Sequence, residues 1–385
     1  MNVPVHGSNL DSDDWDILHE AVNNHWLTAG KYTHVFEQAL QACFQRRHAM
    51  FVNSGSSANL LALTALELPK GSEVITSACS FPTTVNPIVQ CGLVPVFVDC
   101  EPGTWNIDTG QLEAAFSDKT RAVIVTHTLG NPVDLHMIGR FITKHNLFLI
   151  EDCCDAAGAT YNGMQVGCWG DLSTYSFYPA HQITTGEGGA VLTDDPKLAK
   201  ILKAYRDWGR DCWCETGHDN ACGNRFAGEY DHKYTYSRIG YNLKATDLQA
   251  ALGVSQIAKL DKFVERRREN WMYLRKRLTP YTDQFPCVLP SKTPNSDPSW
   301  FGFAIGVERR NELARHLDKH GIGNRPLFAG NITRQSAYNG VEYRISGDLR
   351  NSDYAMEHVL WVGCWPGLTN EQLDYTIETI RQFYR

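Results

Sequence analysis

The chain has 385 residues, 43% of them hydrophobic, and a formal net charge of −7 at neutral pH. That length suits a two-domain enzyme whose core needs no disulfide or metal staple. The acidic balance weighs against nucleic acid as the main partner, because phosphate binders present a basic face. No apolar run approaches the ~20 residues of a membrane span. The opening "MNVPVHGSNLDSDDWD" lacks the basic and apolar regions of a secretory leader. The expected location is therefore the cytoplasm, with no membrane partner.

In chain order, "FVNSGSSANLLALTAL" (51–66) passes from a turn of small residues into an amphipathic helix. "SEVITSA" and "LVPVFVDC" read as strands, as do "RAVIVTH" and "LFLIEDCCD", with the helix "MIGRFITKHN" between the last two. Near-continuous aliphatic runs separated by helices predict a mostly parallel sheet covered on both faces. Ligands of such sheets gather at the carboxyl ends of the strands. Asp152 and the pair Cys153–Cys154 fall at one such end. From Thr246 to Leu278 the apolar spacing predicts one long helix, stopped by Pro280. It leads from a large domain (1–250), whose N-terminal helix packs near its neighbour, into a smaller α/β domain (251–385). The run "ERRREN" within the helix reads as a solvated face.

Taken singly, the local signals are weak. Small residues at Ser56 and Ser57 ahead of a helix can form an anion site or merely cap it. An acid at a strand end, Asp152, can keep a pyridine nitrogen protonated or simply end the strand. Together and in this order, "GSSAN", "SFPTTVN", "IEDCCDAAGATY", "SFYPAH…GEGGAV" and "GYNLKATDLQAA" resemble the sugar aminotransferases of the DegT/StrS type. The resemblance spans nearly the whole chain. It implies the type I fold of pyridoxal-phosphate (PLP) enzymes. It also implies that Ser56, Ser57 and Ser176 hold the cofactor phosphate, that Phe81 stacks on the ring and that Asp152 pairs with its nitrogen. Asn242 would reach the cofactor of a neighbouring subunit, which implies a homodimer.

Where that family places its Schiff-base lysine, this chain has His181, at the end of Ser176-Phe177-Tyr178-Pro179-Ala180-His181. Imidazole cannot hold PLP covalently, so the cofactor expected is pyridoxamine phosphate (PMP), bound non-covalently. A histidine remains a base near neutral pH. Removal of a cofactor proton by His181 would drive dehydration of a ketosugar rather than amino transfer. Tyr178, in place of the family's usual histidine, and Asp155 are further departures at the same site.

Of twelve cysteines, Cys43, Cys79, Cys91, Cys100, Cys168, Cys287 and Cys364 stand alone and are expected to be packing residues. Cys154 precedes Cys212 by 57 intervening residues; one residue then separates Cys212 from Cys214, and seven separate Cys214 from Cys222. Four thiolates suit either a [2Fe–2S] cluster or structural zinc. This spacing, with "RDWGRDC", "DHKYTYS", "SDPSWFGF" and "LFAGNITRQ", resembles a 3-dehydrase branch of the family. That branch acts on a nucleotide-linked 4-keto-6-deoxyhexose in dideoxysugar formation for surface polysaccharide. The resemblance implies a cluster on Cys154, Cys212, Cys214 and Cys222, with Cys153 packed under the sheet. It further implies an NADH-dependent iron–sulfur flavoprotein reductase as partner and Arg325, Asn331 and Arg334 as substrate contacts. Two alternatives stand beside it: a cluster-free 3-dehydratase of the GDP-4-keto-6-deoxymannose type, and a non-catalytic sugar-nucleotide sensor.

Overall fold

The computed structural model describes all residues except 213, 215–222, 224, 227, 229 and 285. Its centre is an eight-stranded sheet. Across the sheet the strands run His48–Val52, Gly189–Thr193, Leu172–Ser176, Phe148–Asp152, Thr120–Thr126, Glu73–Ser77, Val94–Val98 and Arg344–Ile345. Gly189–Thr193 is antiparallel to both neighbours, and every other pairing is parallel. The four strands expected from apolar runs all form. Successive side chains alternate between two cores: Val123, Val125 and Leu149 face one, Ala122, Ile124 and Ile150 the other. Burial on both faces is why these strands read as continuous rather than alternating apolar runs.

A second, antiparallel sheet contains Cys287–Val288, Gly302–Val307, Val359–Gly363 and Asn324–Pro326. Its core includes the Trp271 and Trp300 rings, stacked with centroids 4.1 Å apart. Val3 also packs into this core, whereas Arg344–Ile345 extends the large sheet. Among the described residues no helix is long and apolar enough to cross a membrane.

Two sequence expectations are corrected here. The single helix expected over Thr246–Leu278 is two helices, Asp247–Ile257 and Leu260–Leu278. At the break, Gln256 and Lys259 both reach the Asp14 carboxylate, at 3.0 and 2.9 Å, so helix Ser12–Asn23 fixes the change of direction. The "ERRREN" run is a solvated face only at Glu265 and Glu269. Arg266 donates to the Leu368 carbonyl and Arg268 to that of Pro298, while Arg267 is only 1% exposed. The helix passes between the cores, with Leu260, Phe263 and Val264 in one and Trp271, Leu274 and Leu278 in the other. Its arginines bridge elements that no local pattern connects.

Asp247 joins distant segments in a similar way. Its buried carboxylate accepts from the backbone N–H groups of Gly30, Tyr32 and Thr33 and from the Thr33 hydroxyl, at 2.7–3.1 Å. It thereby serves the orphan donors at the start of helix Lys31–Cys43. Asp247→Ala is expected to cost about 3 kcal/mol, the penalty for buried donors left without an acceptor. Equilibrium urea unfolding reads this as a lower midpoint at unchanged slope.

Candidate active site

The carboxyl ends of the parallel strands meet the N-terminus of helix Gly55–Ala65, which Ser54 caps by accepting from the Ser57 N–H. Ser56 is exposed at this terminus and Ser57 half-buried. Two glycines allow the approach. A Cβ on Gly55 would lie 2.5 Å from that of Ser176 and 3.0 Å from the Cys154 sulfur; one on Gly189 would lie 2.4 Å from the Ser54 carbonyl. Both contacts are too close for any side chain, so the helix terminus, Ser176 and Cys154 form one cradle because Gly55 and Gly189 lack one.

Asp152, 3% exposed, ends its strand inside this cradle. Its Oδ2 accepts from Asn59 Nδ2 at 2.9 Å and Thr84 Oγ1 at 2.6 Å, and its Oδ1 from the Cys154 N–H at 3.1 Å. Three donors hold the carboxylate in one orientation. Phe81 starts helix Pro82–Gln90 with its ring 50% exposed and edge-on to Phe328. An anion-binding helix terminus, an exposed aromatic face and a fixed acid are the donor set that a phosphorylated pyridine requires. The residues present fit such a group. Asn242 is exposed, and its side-chain oxygen accepts from Lys244 Nζ at 2.8 Å.

His181 lies on the loop joining strands Leu172–Ser176 and Gly189–Thr193, closed at its base by Phe177 N–H to the Gly188 carbonyl at 2.9 Å. The His181 N–H donates to the Tyr178 carbonyl at 3.0 Å. The imidazole packs on Phe301, with ring centroids 5.1 Å apart, and the 45%-exposed Tyr178 ring lies 6.4 Å away. His181 Nδ1 is 3.4 Å from Asp155 Oδ1. Burial lowers the His181 pKa to about 3, assisted by the Arg267 charge. Burial, with the nearby Asp152 carboxylate, raises that of Asp155 to about 8. Both shifts favour the uncharged forms of the two groups. A neutral imidazole keeps one unprotonated nitrogen, as a base must.

The cysteines divide. Cys153 is fully buried in the core beneath the sheet, as expected. The Cys212 and Cys214 sulfurs lie within 4.8 Å of each other and of a histidine ring nitrogen, that of His232. The distance from Cys214 Sγ to His232 Nε2 is 3.8 Å, and His232 Nδ1 donates to the Arg225 carbonyl at 3.0 Å. Cys154 stays in the cradle and does not join this group, while Cys222 lies outside the described residues. His232, in the "DHKYTYS" stretch, carries no local signal of this neighbourhood, because only the fold brings it to the cysteines.

The proposed substrate contacts also divide. Asn331 is fully buried. Its amide donates to Asp353 Oδ1 and its oxygen accepts from Thr333 N–H and Oγ1. It builds the turn and does not face a substrate, because burial and these partners occupy it. Arg334 is solvent-facing but forked onto Asp353, at 2.9 and 3.1 Å. Arg325 is exposed and donates to the adjacent Asn324 carbonyl.

The mostly parallel sheet, helix-terminus cradle and buried strand-end acid define a fold of the PLP-dependent aminotransferase class. The chain belongs to the DegT/DnrJ/EryC1/StrS aminotransferase family, which it matches over residues 8–381. It is 48% identical over 402 aligned residues to the lipopolysaccharide biosynthesis protein RfbH of Salmonella typhimurium, covering 99% of this chain and 92% of that one. It is 50% identical to the dTDP-4-dehydro-2,6-dideoxy-D-glucose 3-dehydratase of Saccharopolyspora spinosa, covering 98% and 85%. Among solved structures, it resembles the Escherichia coli GDP-4-keto-6-deoxy-D-mannose-3-dehydratase with bound hydrated PLP. That match has a TM-score of 0.90 and 28% identity over 99% of both chains.

Proposed function

We propose that the protein is a PMP-dependent 3-dehydrase of a nucleotide-linked 4-keto-6-deoxyhexose, with CDP-4-keto-6-deoxyglucose as the substrate favoured by the sequence resemblance. The observation that carries this reading is His181, a histidine 3.4 Å from Asp155 where the resembled aminotransferases have lysine. The relatives named as 3-dehydratases support the reaction class.

When bound, PMP supplies a primary amine for the C4 ketone and an electron sink for breaking the C3–O bond. The chain's residues then have separate tasks. The helix terminus at Ser56–Ser57 and the Ser176 hydroxyl would hold the phosphate. Asp152 would keep the pyridine nitrogen protonated, with Phe81 against the ring. His181 would remove a proton from the cofactor's methylene carbon, with the Asp155 carboxyl beside its ring. The C3 hydroxyl leaves as water. Reaching the 3-deoxy product then takes two electrons and two protons, because the dehydrated sugar is unsaturated.

A [2Fe–2S] cluster would supply those electrons one at a time from an NADH-oxidising iron–sulfur flavoprotein reductase. The adjacent Cys212 and Cys214 thiols and the four-cysteine spacing support this reading. The sequence spacing would add Cys222 and Cys154 to the ligand set, whereas the described geometry groups Cys212 and Cys214 with His232 and leaves Cys154 in the cradle. Asn242, exposed near the 97%-exposed Ile239, is the residue we assign to a partner subunit's site in a homodimer.

Anaerobic purification followed by metal analysis and visible spectroscopy tests the redox part. The expected protein is brown, with two irons and two sulfides per subunit, and bleaches on addition of NADH and reductase. Colourless protein containing zinc would instead leave a cluster-free dehydratase.

A further inference from the structure

Arg267 is 1% exposed, and its guanidinium donates to four backbone carbonyls, with the Cys364 thiol also beside it. Nη2 donates to the carbonyls of His181 at 2.8 Å and Ala180 at 3.1 Å. Nη1 donates to those of Trp300 at 3.2 Å and Phe301 at 3.4 Å. One side chain thus ties the His181 loop to the segment whose Phe301 ring packs on the imidazole. Burying a guanidinium against neutral acceptors is expensive, since an arginine does not escape by losing its proton. Four backbone acceptors would be served more cheaply by a neutral donor if geometry were the only requirement.

We propose that Arg267 is the positioning residue for the base. Its guanidinium fixes the His181 backbone and supplies a permanent positive charge that keeps the imidazole free to accept a proton. This rests on the reading of His181 as the base. The groups facing the imidazole are Asp155 at 3.4 Å, the Tyr178 ring, Arg267 behind the loop and His6 on the N-terminal segment. Burial is the largest cause of the lowered His181 pKa, with Arg267 next and His6 after it. Burial, Arg325 and Arg267 also hold His6 low, so Arg267 is the one facing group with a permanent positive charge.

Three measurements test the proposal. In the native protein, with histidines isotopically labelled and His181 assigned from the His181→Asn spectrum, NMR should show this ring unprotonated down to pH ~5. Titration at an ordinary histidine value overturns the charge role whether or not His181 is the base. In Arg267→Gln, hydrogen exchange at the methylene of added PMP with a 4-ketosugar nucleotide should show its acid limb displaced to higher pH than in the native protein. An equal loss at every pH would mean a structural role only. Arg267→Lys keeps the charge but not the four-carbonyl geometry. It should keep the native pH profile and lower kcat at unchanged KM, and an unchanged kcat per folded subunit overturns the positioning role. Persistence of exchange in His181→Asn would sink the base reading itself, an outcome distinct from these three.

Discussion

Replacing His181 by asparagine is expected to lower turnover about 1,000-fold, the contribution of a well-placed general base. Asparagine keeps a hydrogen-bonding group of similar size but cannot take up a proton. The His181 backbone contacts, to the Tyr178 carbonyl and from Arg267, do not involve the side chain, so loop and fold should persist. The predicted signature is an unchanged melting temperature and KM, with loss of both turnover and hydrogen exchange at the PMP methylene. Retention of even a tenth of native turnover would assign the proton transfer to another group.

Cys214→Ser should separate the two halves of the proposed reaction. The Cys214 sulfur belongs to the group formed with Cys212 and His232, while His181 and Asp155 form their own pair. Serine is a poor ligand for iron beside thiolates, so the variant should lose its iron and visible absorbance. NADH-coupled formation of the deoxysugar should stop while PMP methylene exchange continues. Together with His181→Asn, this gives opposite patterns: one variant stops exchange, and the other stops only reduction. Native reductive turnover in Cys214→Ser would overturn the cluster reading, and loss of exchange there would show that the sulfur group also shapes the base.

The strands were legible because both faces of the sheet are buried, and two-sided burial writes itself as runs such as Val123–Ile124–Val125. His181 was legible because the loop carrying it is short and linear, so its position follows from neighbouring residues alone. The thiols of Cys212 and Cys214 were legible for the same reason, with a single residue between them. His232 was not: 17 residues separate it from Cys214, and only the returning chain brings its Nε2 to 3.8 Å. Asn331 stood in a stretch that resembled a substrate loop, yet burial and its Asp353 and Thr333 partners make it a turn builder.

The arginine run shows the limit most clearly. Charge at helical spacing ordinarily means solvent, and nothing local distinguishes Arg267 from Arg266 or Arg268. Its burial is decided by two cores packed at either end of the same helix and by four carbonyls from two other segments. The sequence by itself determined the sheet, the cofactor cradle and the exchange of lysine for His181, because each is written in contiguous residues. Only the tertiary structure decided that His181 sits beside Asp155 with a buried guanidinium behind its loop. Desolvation and Coulomb effects depend on what surrounds a group in space, and neighbours along the chain do not specify that.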